Sequence, residues 1–261
     1  IPMLGGNEKT EIFEKEENGV LYVGLSHPYF SKRLGIYGDT SFQPYSDNCP
    51  RFLCFAKAVA LYLAATDWKV DIVHCHDWTT GLVPHYLKYF KVEAKTVFTI
   101  HNLAYQGVFP PFDAIISSSR IPHSALRGPK AHENINMMAA GLMDSDFITT
   151  VSPTYMEEIR QSDMGSGLDD ILRNRKEVSR GIINGIDYNE WNPETDKDLI
   201  SNYSIENMEG KKKCKEEILK EFKIHGYDDK PLFAMISRLA DQKGFDELLL
   251  EGEPCALERI L

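Results

Sequence analysis

Residues 70–87 read VDIVHCHDWTTGLVPHYL. The segment opens apolar at Val70–Val73 and turns polar at His74-Cys75-His76-Asp77-Trp78. Leu82, Val83, Tyr86, Leu87 and Phe90 then recur at the spacing of one helix face. A short β-branched run, a polar break and an amphipathic helix make one βα unit. Working outward, the pattern repeats. TVFTI at 96–100 ends at His101-Asn102, and FITTV at 147–151 ends at Ser152-Pro153. Serine is a strong N-cap, and proline suits the first helical position. Ile182-Ile183 reads as the end of a fourth strand, at Asn184-Gly185. Ahead of the third strand, INMMAAGLM at 135–143 is helix-length and apolar, although Gly141 weakens it by about 1 kcal/mol.

Short buried strands alternating with helices predict an α/β fold with a parallel sheet. Ligands of such sheets bind beyond the carboxyl ends of the strands. The polar clusters all follow strands, so they are expected to share one site.

Composition narrows the chemistry. The chain has 261 residues, 43% hydrophobic and 26% charged, as expected of a globular protein. No apolar run approaches the ~18 residues of a membrane helix. A formal net charge of -10 disfavours nucleic acid and anionic membranes as partners. Five cysteines without a C-x-x-C pair point to a reducing compartment and no disulfide framework. The opening IPMLGG reads as the tail of a strand, and the end stops in or just after a helix, so a piece of a longer protein is expected.

Residues 192–230 are polar, highly charged and poor in strand formers. KKKCKEEILKEF at 211–222 predicts an exposed helix with Lys212–Glu216 and Lys213–Glu217 pairs. After Pro231, LFAMIS predicts a new strand and LADQKGFDELLL a loop and helix, the start of a second domain. The expected division is a domain over 1–200, a linker with an interdomain helix over 201–229, and the start of another domain over 230–261.

The H-x-H-D cluster invites a metal reading, but His27, His85, His123, His132 and His225 stand in no ligand motif, so no metal is expected. His74, inside the strand pattern, is expected to be packed and hydrogen-bonded. Asp77 either caps the following helix or faces the crevice, and its place at a strand end favours the crevice. Asn184-Gly185-Ile186-Asp187 reads as a turn or as part of the site. Arg238 and Lys243 bracket a strand–loop–helix junction, where two cations could hold a diphosphate or could pair with Asp241.

Five motifs in order, HCHDWTTGLVPHYL, TVFTIHNLAYQGVF, ITTVSPTYMEEI, IINGIDYNEWNPETD and ISRLADQKGFDEL, resemble the bacterial glycogen synthases and plant starch synthases that use ADP-glucose. YGDTSFQPYSDNCPRFLCF at 37–55 is similar to a further segment of that family. The resemblance implies a GT-B architecture of two Rossmann-like domains facing a deep cleft, the second only begun here. It implies a retaining glucosyltransferase that moves glucose from ADP-glucose to an α-1,4-glucan, glycogen or starch, with no metal and no cofactor. It places the enzyme in the cytoplasm of a bacterium or the plastid stroma of a plant or alga. By motif match it puts Asp77 at the sugar and acceptor side. His101, Asn102 and Asn184 fall at the transferred glucose, Arg238 and Lys243 at the ADP phosphates, and Tyr37 along the acceptor or nucleotide side.

Two family elements find no match. LGGNEK at Leu4–Lys9 is not the family's Lys-x-Gly-Gly-Leu motif, and no later second-domain motifs follow. The segment alone is therefore expected to be inactive. Another GT-B transferase, a phosphorylase or a non-catalytic glucan-binding module are the competing readings.

Overall fold

The computed structural model describes residues 2–3, 6–7, 9–41, 43–111, 120–127, 134–226, 229–238, 241–245 and 248. The expectations for Leu4–Lys9 as a whole, His132, Cys255 and the Asp241 side chain fall outside them. The chain forms two compact units, residues 1–184 and 185–261.

The first unit is organised by a four-stranded parallel sheet. Two short strands, β1 (Pro2–Met3) and β2 (Gly6–Asn7), pair with each other ahead of an antiparallel hairpin, β3 (Glu11–Glu17) and β4 (Val20–Ser26). Its turn is Asn18-Gly19, both at positive φ, the dipeptide that two-residue hairpin turns favour. A short turn of helix, α1 (Pro28–Ser31), leads to the long α2 (Asn48–Ala65). Strand β5 (Ile72–His76) is followed by α3 (Val83–Tyr89), and β6 (Lys95–Ile100) by a loop. A small antiparallel sheet, β7 (Val108–Phe109), β8 (Leu126–Arg127) and β9 (Asn134–Asn136), precedes α4 (Met137–Asp144). Next come β10 (Phe147–Thr150), α5 (Pro153–Glu158), α6 (Asp169–Asn174) and β11 (Ser179–Gly181). The sheet order is β11-β10-β6-β5.

Alternation along the strands decides what is buried. Cys75, Phe98, Ile100 and Ile148 point into one core with Leu53, Tyr86, Leu87 and Met138 from the helices. The pairing register sets His74 beside Val97 and His76 beside Thr99, on the other face. Glycine permits close approach at two helices. A Cβ on Gly141 would lie 2.4 Å from the Phe98 ring, and one on Gly81 would lie 2.0 Å from the Met137 carbonyl oxygen. The helix cost expected at Gly141 is therefore offset by seating α4 against β6.

Several element boundaries differ from expectation. Strand β5 runs on through His76 rather than ending at Val73, because ladder hydrogen bonds are backbone bonds and tolerate polar side chains on an open face. His74 is hydrogen-bonded as expected, Nε2 to the Thr99 hydroxyl at 2.6 Å, but it is exposed rather than packed. β11 stops at Gly181, and Ile182 and Ile183 lie beyond it, 60% and 75% exposed. Ser152 caps α5 as expected, accepting from the Tyr155 amide at 3.3 Å.

In the second unit, α7 (Glu209–Glu221) is the expected exposed helix. Its ion pairs are Lys212–Glu209 and Lys220–Glu217, at i,i+3, rather than the i,i+4 pairs expected. LFAMIS forms no strand. Phe233 and Ile236 are 83% and 99% exposed, and no described strand lies beside the segment to supply ladder partners. Among the described residues no helix is long and apolar enough to cross a membrane.

Gly81 has a helical φ, so only the steric contact opposes a side chain there. Gly81→Ala is expected to lower unfolding free energy in a denaturant titration by about 1–3 kcal/mol. Gly185→Ala, where a Cβ meets nothing within 4 Å, is expected to stay within about 0.5 kcal/mol of wild type.

Candidate active site at the carboxyl ends of the strands

Asp77 follows β5 directly and holds a backbone conformation that L-residues rarely adopt, φ +55° and ψ -177°. Such a conformation costs on the order of 1–3 kcal/mol and persists only where its surroundings fix it. Four hydrogen bonds fix it here. The Asp77 amide donates to the Thr99 carbonyl at 3.0 Å, and the Thr80 amide and hydroxyl each donate to the Asp77 carbonyl at 3.2 Å. The carboxylate Oδ1 accepts the His101 amide at 2.8 Å. Asp77 makes no side-chain cap to the helical turn after it. Its carboxylate instead clasps the end of β6 to the end of β5.

The same clasp brings two imidazoles together. His76 Nδ1 lies 3.0 Å from His101 Nε2, and both rings are exposed. Partial loss of hydration, then the neighbouring His74 and His101, hold the His76 imidazole below its usual pKa range. Cys75 points the opposite way into the core, where burial pushes its thiol up to about 12. The H-x-H-D stretch is thus split between two faces. Among the described residues no three His, Cys, Asp or Glu side chains converge on a point.

The loop after His101 is built rigidly. The Asn102 side chain accepts from the Ala104 amide at 3.0 Å, which turns the chain back on itself. The Leu103 amide donates to the Tyr155 hydroxyl at 3.1 Å. Gln106 accepts from the Asn136 amide group at 2.7 Å and donates to the Ser166 carbonyl at 2.9 Å. Gly107, at φ +62°, passes so close to Trp78 that a Cβ would sit 2.3 Å from the indole. Trp78 is also met by Phe52 at 4.7 Å, Phe109 at 5.8 Å and Tyr37 at 5.9 Å between ring centroids. Tyr37 is thereby placed one residue from Asp77 while staying 54% exposed.

The segment bearing Tyr37 is anchored on α2. Asn48 donates to the Tyr37 carbonyl at 2.8 Å, and Arg33 pairs with Asp47. Arg51, 2% exposed, donates to the Tyr29 carbonyl at 2.9 Å and lies over the Tyr45 ring at 4.9 Å. The Asp-Asn-x-x-Arg-Phe motif is thus a clamp that holds the site wall.

The structure therefore brings Tyr37, Asp77, His101 and Asn102 together. Asn184 lies past β11 at the opposite edge of the sheet, three strand spacings or about 14 Å from β5. It is exposed. Arg238 and Lys243 belong to the second unit. Both are exposed, and Lys243 ends a helical turn over Asp241–Lys243 ahead of Gly244 at φ +72°.

The family model of the starch synthase catalytic domain matches residues 2–174, the span that carries the clasp, the loop and the clamp. The chain belongs to this family. It is 40% identical over 247 residues to a glycogen synthase of Anaeromyxobacter sp. (strain Fw109-5), covering 92% of this chain and 51% of that protein. It is 43% identical over 238 residues to a glycogen synthase of Myxococcus xanthus (strain DK1622), covering 87% and 48%. The solved catalytic domain of starch synthase IV from Arabidopsis thaliana, bound to ADP and acarbose, superposes with a TM-score of 0.68 and 28% identity, covering 84% of this chain and 46% of that one. The fold class is that of this starch synthase catalytic domain, GT-B, with its Rossmann-like parallel sheet. The chain spans about half the length of the curated relatives it matches.

Within this starch synthase domain, two features escaped the motif reading. His76 reads from the sequence as a support for Asp77 or a lining of the cleft, with no partner named, and Trp78 only as part of the His-Asp-Trp motif. The pairing with His101 and the packing on Gly107 depend on strand register and loop path.

Asp77→Ala removes the acceptor of the His101 amide, whereas Asp77→Asn keeps an oxygen there. Amide hydrogen exchange at His101 is expected to quicken about 10-fold in Asp77→Ala and clearly less in Asp77→Asn, because the bond is exposed and contributes only about 1 kcal/mol.

Proposed function

We propose that the protein carrying this chain is a retaining glucosyltransferase that moves glucose from ADP-glucose to the 4-hydroxyl at the non-reducing end of an α-1,4-glucan. The observation that carries this reading is the Asp77–His101 clasp at the sheet's carboxyl end, in a chain of the starch synthase catalytic domain family. The ADP and acarbose in the starch synthase IV structure support a nucleotide donor and a glucan-like acceptor.

The residue types suit the reaction. Breaking the bond between glucose and phosphate builds positive charge on the sugar and negative charge on the leaving diphosphate. Arg238 and Lys243 are the cations assigned to the diphosphate. His101, Asn102 and Asn184 are assigned to the sugar hydroxyls, where fixed hydrogen bonds hold the reacting carbon in place. Tyr37, exposed beside Trp78, is assigned to an acceptor glucose ring. Residues 1–200 serve as the starch synthase domain, 201–229 as the linker and interdomain helix, and 230–261 as part of a second, Rossmann-like glycosyltransferase domain. The enzyme works in the cytoplasm of a bacterium or the stroma of a plastid.

The protein carrying this chain, given ADP-[14C]glucose and glycogen with UDP-glucose in parallel, is expected to put label into polymer from ADP-glucose. No label from either donor would sink the proposal; label from UDP-glucose alone would reassign the donor. Lys243→Ala is expected to weaken ADP binding by about 1.5–3 kcal/mol in calorimetry, and unchanged affinity would remove Lys243 from the site.

A further inference from the structure

The clasp leaves His101 with two unequal ring nitrogens. Nε2 lies 3.0 Å from His76 Nδ1, while Nδ1 makes no hydrogen bond among the described residues. A nitrogen–nitrogen hydrogen bond holds one proton between two rings. One imidazole donates and the other accepts, and both cannot be protonated without breaking it. The state of His76 Nδ1 therefore decides which nitrogen of neutral His101 carries hydrogen.

We infer that His76 is a positioning residue that fixes the tautomer and ring angle of His101, so that His101 meets its ligand through Nδ1. His76 is itself held. It sits in the ladder opposite Thr99, and its ring lies 4.2 Å from His74 between centroids. The His74 ring is tied to the Thr99 hydroxyl at 2.6 Å, and Thr99 to the buried Thr149 hydroxyl at 2.5 Å. The support thus runs from the buried Thr149, through Thr99 and His74, to the His76 ring. The His101 backbone is fixed independently by Asp77, so His76 controls the ring alone. The groups facing His76 are His74, His101 and Asp77.

The importance of this for catalysis rests on the assignment of His101 to the sugar, and the test separates the two. Ring 15N spectra of this chain report the His101 tautomer without reference to activity. His76→Phe is expected to shift the His101 ring nitrogens to a mixture of tautomers, and His76→Asn, whose amide can replace Nδ1, to restore one. In the protein carrying the chain, His76→Phe is expected to lower kcat about 10- to 100-fold with KM for glucan within about twofold, and His76→Asn to recover most of it. His101 ring shifts in His76→Phe identical to wild type would overturn the inference. Shifted ring nitrogens together with a fully active His101→Ala would uphold the tautomer control and remove His101 from the sugar instead.

Discussion

The site depends on one hydrogen bond between neighbouring strand ends, the His101 amide on the Asp77 carboxylate. Parallel strands share a ladder up to their last residues, and beyond that nothing obliges the two exit loops to stay together. Asp77 supplies that obligation. It leaves β5 in a strained left-handed conformation and spends its carboxylate on the adjacent chain, so the loops start from a fixed relative position. Everything downstream inherits this geometry: the imidazole pair, the turn at Asn102 and the run of backbone under Trp78.

Rigidity is then propagated by packing rather than by charge. Trp78 fills the space between α2, the Tyr37 segment and the loop at Gly107, and a methyl group at that glycine would collide with it. Gln106 fastens the far side of the loop to Asn136, whose own side-chain oxygen caps α4 at 2.9 Å. The buried Arg51 fulfils the same purpose on the other wall, its charge met by carbonyls and aromatic faces. Burial lowers its pKa, but an arginine remains charged.

The sequence made the strands of the central sheet legible because β-branched runs bounded by polar breaks have few other uses. β6 and β10 sit where those runs lie. β5 and β11 were displaced in opposite directions, since ladder pairing is indifferent to a histidine on an open face and Gly181 is pressed against the Ser152–Pro153 backbone. The β3–β4 hairpin is as legible as the others, with VLYVGL at 20–25 following the Asn18-Gly19 turn, but it stands outside the βα alternation and its side chains are almost all exposed. Asp77 could be picked out by its place at a strand end, whereas His101 took its role only from the motif resemblance. Their mutual bond could be read from neither, because it depends on the backbone torsion at Asp77. LFAMIS shows the converse limit: its composition suits a strand, yet no described strand lies beside it to supply ladder partners.

The alternation within His74-Cys75-His76 has a consequence for folding in the presence of metal ions. In the unfolded chain two imidazoles and a thiol stand on consecutive residues, a tridentate lure for zinc or copper. Pleating divides them, sending the thiol inward and the rings outward. A metal ion that held all three groups in the unfolded chain would have to release the thiol before the strand could form, and by mass action it would oppose folding. Forming the strand separates the thiol from the two imidazoles.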